Sequence, residues 1–121
     1  MLPHAGGWQT GGVVAEARRF NEPMIWAPPP PPALAGPPRA LAQADGLVLD
    51  TIKRAEDSDA LVLRLYEPHG ARGTAHLRLG FPFATARRAN LLEDPGEPLA
   101  ITGTTLEIPY RPFELVTVLV D

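Results

Sequence analysis

The sequence predicts an all-β fold, an antiparallel β-sandwich of about seven to eight strands. Three observations predict it. From residue 47 onward, apolar runs of four to eight residues recur at short intervals. Each run is closed by a breaker such as "EPHGARG", "FPF", "EDPGEP" or "TGT". No helical period lasts longer than one or two turns. Short strands with turn signals at this spacing are the mark of a sandwich.

The elements follow in order. Residues 1–12 hold Pro3 and four glycines and read as loop. "VVAEARRFNEP" (13–23) fits either a strand or a short helical turn, and stops at Pro23. "MIWA" is a brief apolar run, followed by "PPPPPALAGPPRALAQADG" (28–46), whose five consecutive prolines favour polyproline II over a sheet ladder. The chain is therefore divided into a leading segment (1–23), a proline-rich loop (27–46) and a main sheet region (47–121), all within one sandwich domain. Seven strands are expected at 47–53, 60–66, 74–81, 86–92, 99–102, 105–110 and 113–120.

The hairpin "DTIKRAEDSDALVLRLYEPHG" (50–70) can be registered by arithmetic. A turn centred on Asp57-Ser58 pairs Glu56 with Asp59, Ile52 with Leu63 and Asp50 with Leu65. Alternation then places Val48, Ile52, Leu61, Leu63 and Leu65 on the core face. Leu49, Thr51, Lys53, Val62, Arg64 and Tyr66 fall on a second, amphipathic face. In "TAHLRLGF", Ala75, Leu77, Leu79 and Phe81 point inward, and Thr74, His76 and Arg78 outward. "FELVTVLV" is apolar on both sides, so it is either a central strand or one covered on its second face by another domain or a partner.

Composition narrows the function classes. The chain has 121 residues, 45% of them hydrophobic, and a net charge of −3. The 11 Lys+Arg residues, of which Lys53 is the sole lysine, are scattered, which argues against nucleic acid as a partner. Without cysteine there is no disulfide, thiol nucleophile or thiolate metal site. No apolar run is long enough for a membrane helix, and the start lacks the basic and apolar regions of a signal peptide, so a cytoplasmic location is expected.

Residue chemistry offers few sites. His4, His69 and His76 do not have the spacing of a metal pair. Glu56, Asp57 and Asp59 share one turn, whereas glycosidase chemistry needs carboxylates facing each other across a cleft. Ser58 is the sole serine and stands in no nucleophile motif. Trp8 and Trp26 are the candidates for a sugar-stacking platform. On this ground alone the chain reads as a sandwich without an active site of its own.

Several blocks carry a family resemblance. "IKRAEDSDALVLRLYEPHG" resembles a recurring pattern in the C-terminal β-domain of family 38 glycoside hydrolases, the class II α-mannosidases, at Lys53, Ala55, Glu56, Asp57, Arg64, Tyr66, Glu67 and Gly70. "LPHAGGW" (2–8), "ARRFNEP" (17–23), "NLLED" (90–94) and "RPFELVTVLV" (111–120) resemble further blocks in the same order. The excursion at 27–45 departs from the pattern.

The resemblance implies the excised C-terminal part of a zinc-dependent, retaining α-mannosidase. Nucleophile and zinc are then expected in an N-terminal catalytic domain of the parent, with no catalytic or metal residue in this chain. Its partners are expected to be the catalytic and middle domains of the parent and, through them, an α-mannoside. Lys53, Glu56, Arg64 and Glu67 are then expected to form an ion-pair and hydrogen-bond cluster that fixes the hairpin and its contact with neighbouring domains. The functional alternative has Arg64 or a neighbour reaching the rim of the mannose site. Two other readings are a free-standing carbohydrate-binding module that uses Trp8 and Trp26, and an immunoglobulin-like interaction domain.

Overall fold

A computed structural model describes residues 3, 5–22 and 42–121. The chain divides into two compact units, Met1–Pro38 and Arg39–Asp121.

In the first unit, α1 (Val13–Asn21) resolves the strand-or-helix ambiguity in favour of helix. Its charges suit the helix dipole, with Glu16 in the first turn and Arg18 and Arg19 in the last. Ion pairs Arg19–Glu16 and Arg18–Glu22, each at 2.9 Å, add the i,i+3 and i,i+4 support that a short exposed helix needs. Trp8 lies in the turn before it and is partly exposed. Trp26 and His4 lie outside the described residues.

The second unit is a β-sandwich of nine strands: β1 (Ala42–Asp45), β2 (Val48–Arg54), β3 (Leu61–Tyr66), β4 (Gly73–Leu79), β5 (Ala86–Ala89), β6 (Pro95–Pro98), β7 (Ala100–Thr102), β8 (Thr105–Tyr110) and β9 (Leu115–Val120). One sheet has the order β1-β4-β8-β7 and the other β2-β3-β9-β5-β6, with every pairing antiparallel. The core lies between them. Leu63, Leu65, Ala86, Val116, Val118 and Val120 come from the five-stranded sheet, and Ala75, Leu77, Leu79, Leu106 and Ile108 from the four-stranded one. β7 and β8 are joined by a two-residue turn with Gly103 at φ 64°, the positive-φ glycine such hairpins favour.

Three local expectations are corrected. The hairpin register holds from Arg54↔Leu61 to Thr51↔Arg64, but then shifts, so that Leu49 rather than Asp50 faces Leu65. Strict alternation would have driven the Asp50 carboxylate into the core, where a charge without a partner is costly. A bulge at Asp50 leaves it exposed, accepting a 2.8 Å hydrogen bond from the Thr51 hydroxyl. The slip brings Leu49, expected on the second face, against the core beside Ile52, and takes Val48 off the core face.

The proline-rich loop expected at 27–46 ends earlier, because its last residues form β1. The breaker "EDPGEP" contains β6, an exposed edge strand that tolerates two prolines because one side of it has no ladder. The last strand, β9, is central, pairing with both β3 and β5; Val116, Val118 and Val120 fill its core face, and its other face carries Leu115, Thr117 and Leu119.

Candidate functional site

Two carboxylates organise the polar chemistry of the sandwich. The first is Glu93. Hairpin β2–β3 places Lys53 and Arg64 on the outer face of the five-stranded sheet, opposite Val62 and Thr51 respectively. The loop between β5 and β6 crosses this face. Asn90 folds the loop on itself: its side-chain oxygen accepts from the backbone N–H groups of Leu92 (2.9 Å) and Asp94 (3.0 Å), and its amide donates to the Asp94 carboxylate (2.8 Å).

Glu93 then adopts φ 70°, a left-handed conformation uncommon for a side-chain-bearing residue. Its carboxylate meets Lys53 Nζ at 2.5 Å and Arg64 Nη2 at 3.6 Å, and accepts the Glu56 backbone N–H at 3.1 Å. Lys53 also lies 3.5 Å from the Glu56 carboxylate. Lys53 first, then the Glu56 N–H, hold the Glu93 carboxyl below the ordinary carboxylate range, and Glu93 raises the Lys53 ammonium in turn. Val62, beneath this loop in register with Lys53 and Leu119, is fully buried, and so is Thr117 beside Arg64. The chain thus covers part of the second face with its own loop and with the stems of Lys53 and Arg64.

The second carboxylate, Glu67, follows β3 and is 2% exposed. It accepts backbone N–H groups from His69 (2.8 Å), Gly70 (2.7 Å) and Phe113 (2.9 Å). Burial pushes its pKa up, but these bonds and a further one from Ala71 outweigh burial and leave it lowered. The geometry demands Gly70, which has φ 75° and on which a Cβ would sit 2.8 Å from the Phe113 ring. Phe113 itself is left-handed, at φ 57°.

The structure therefore brings together three of the four residues expected to cluster. Lys53, Glu56 and Arg64 meet around Glu93, whereas Glu67 belongs to a separate backbone-lined site. Glu93 carried no role in the sequence reading. The signal for it was the pair of cations on one half-apolar face, which calls for a carboxylate. A third arrangement also went unread. Arg88 donates to the Pro109 carbonyl (2.8 Å) and pairs with Glu114 (2.6 Å), tying β5 of one sheet to β8 of the other.

Of the sequence candidates, His69 contributes its backbone N–H to Glu67, and His76 lies on the exposed face of β4. There it borders a shallow groove of about 510 Å³ with Gln43, Asp45, Arg78 and Thr105. Among the described residues no group of three or more His, Asp or Glu side chains is placed to hold a metal ion.

Two facing antiparallel sheets, pinned by buried and half-buried carboxylates, define a β-sandwich domain. Residues 46–118 match the family model described as the glycosyl hydrolases family 38 C-terminal beta sandwich domain. The chain belongs to that family. Relatives extend the match to nearly the whole chain: Alpha-mannosidase 2C1 of Homo sapiens is 36% identical over 98% of it, and that of Mus musculus 34% over 98%. Alpha-mannosidase G of Dictyostelium discoideum is 28% identical over 97%. The chain spans only 12% of the length of the two mammalian relatives and 11% of that of the third.

Proposed function

We propose that this chain serves as the non-catalytic C-terminal scaffold of a longer, zinc-dependent, retaining α-mannosidase. The observation that carries this reading is the alignment of 98% of the chain with only 12% of proteins named as α-mannosidases. The described residues offer no cluster that fits zinc. On this reading zinc, nucleophile and mannoside site belong to other domains of the parent, and no chemical step is derived for this one. Its part is structural. Lys53, Glu56, Arg64 and Glu93 hold one face of the hairpin, Glu67 fixes the far end of β3, and the rigid sandwich supports the neighbouring domains.

The test compares three proteins on an aryl α-mannoside with added zinc: the full-length parent, the parent lacking residues 1–121, and chain 1–121 alone. Turnover is expected from the first, little or none from the second because its scaffold is gone, and none from the third. Turnover by chain 1–121 would show that catalysis resides here. Full activity and thermal stability of the shortened parent would show that the domain scaffolds nothing.

A further inference from the structure

We infer that the outer face of the five-stranded sheet, together with the tip of the 90–94 loop, is the surface on which another domain of the same α-mannosidase polypeptide docks. The inference rests on the scaffold reading above.

The loop tip is built to present two leucines. Leu91 is 60% exposed and Leu92 is 81% exposed, although the backbone carrying them is fixed on both sides, by the Asn90 bonds and by Glu93 clamped to Lys53 and the Glu56 N–H. Apolar side chains held out on a pre-ordered loop lose little conformational freedom on association, which is the property of an interface anchor. Below them the sheet supplies further apolar surface. Leu115, 48% exposed, faces Tyr66 across the ladder, and Tyr66 in turn faces Val48.

At the centre lies Arg64. Its Nη2 reaches the Leu91 carbonyl only at 3.4 Å and Glu93 only at 3.6 Å, and its Nε is closed off from water with no hydrogen-bond acceptor among the described residues. The side chain as a whole keeps 30% of its surface exposed, and an incoming carbonyl or carboxylate would meet the guanidinium there.

The opposite face of the sandwich differs. The outer side of the four-stranded sheet carries Gln43, Asp45, His76, Arg78 and Glu107, a solvated row. The occupant follows from length. The two mammalian relatives that align with nearly the whole chain devote 88% of their sequence (100% less 12%) to other parts, so a covalently tethered surface is available at high effective concentration. The partner surface required is an apolar hollow for the two leucines next to an acceptor for Arg64.

The experiment uses the full-length α-mannosidase that carries this sequence. Limited proteolysis measures release of the C-terminal domain in the wild type, in Leu91→Ser/Leu92→Ser, and in Arg78→Ser on the outer face of the opposite sheet. The leucine variant is expected to release the domain about tenfold faster, with the Arg78 variant unchanged. Equal release from the wild type and the leucine variant would overturn the inference, as would an equal rise in the Arg78 variant. A halved molar mass of the leucine variant by light scattering, at unchanged release, would assign the face to a second copy and also overturn it. Loss of activity on deleting residues 1–121, combined with unchanged release in the leucine variant, would leave the scaffold standing and remove only this surface.

Discussion

Glu67 and Glu93 are both glutamates pulled below their ordinary pKa and both help to fix hairpin β2–β3, yet they are held by opposite means. Glu67 is buried and answered by backbone N–H groups, which carry no net charge and cannot swing away. Glu93 is half-buried and answered first by Lys53, a long flexible cation near solvent, then by the Glu56 N–H, with Arg64 further off. The first arrangement resists salt and depends on chain geometry. The second depends on charge and is open to screening.

The largest expected effect is on Glu67. Replacing it with alanine leaves several buried donors unanswered, and urea unfolding should show a loss of about 3 kcal/mol or more. Glu67→Gln keeps an acceptor and should recover part of this. Next comes Gly70→Ala, which forces a Cβ into a left-handed residue and against Phe113. A loss of about 1–3 kcal/mol is expected in the same assay, and Gly70→Asn, whose side chain tolerates that conformation better, should not outperform the wild type.

The pH dependence separates the two sites by sign. Both carboxyls are lowered, so the stability each contributes is fully present above the ordinary glutamate value of 4.5 and is lost as pH falls through the folded value. Lys53 is raised, so its contribution is fully present below 10.5 and is lost as pH rises through the higher folded value. Chemical unfolding across pH should therefore show Glu67→Gln flattening the acid limb alone, while Glu93→Gln flattens the acid and the alkaline limb together.

A smaller effect is expected for Glu93→Ala at neutral pH, and it should shrink further in molar sodium chloride, whereas the Glu67→Ala deficit should not. The least effect is expected at Arg54, whose exposed pair with Asp59 should leave the urea midpoint unchanged when Arg54 becomes alanine.

Much of this architecture was legible in the sequence, and what was not has identifiable causes. β3, β4, β8 and β9 announced themselves because buried strands must carry apolar residues at period two or without interruption. β1 ("AQAD") and β6 ("PGEP") did not, since an edge strand is held by its ladder and needs little apolar signal of its own. The bulge at Asp50 was hidden because alternation has no term for the charge it would bury. Lys53 and Arg64 were readable as cations sharing a face, but Glu93 lies 37 positions beyond Glu56, whose N–H it accepts, and only the closed sheet brings them together. Glu67 was grouped with them because sequence proximity to Arg64 concealed that the end of β3 points it towards a different set of donors.

The four edges of the two sheets have a shared consequence. β7 is three residues long and β1 four, β6 begins and ends with proline, and β2 is broken by its bulge. None offers the long, flat row of free N–H and C=O groups that an extended peptide needs in order to join a sheet. Growth of either sheet by another strand is thereby discouraged, whether that strand comes from a neighbouring domain, an unfolded copy or a stray segment of the same chain. Whatever associates with this domain must do so through side chains, on a face or at a loop tip.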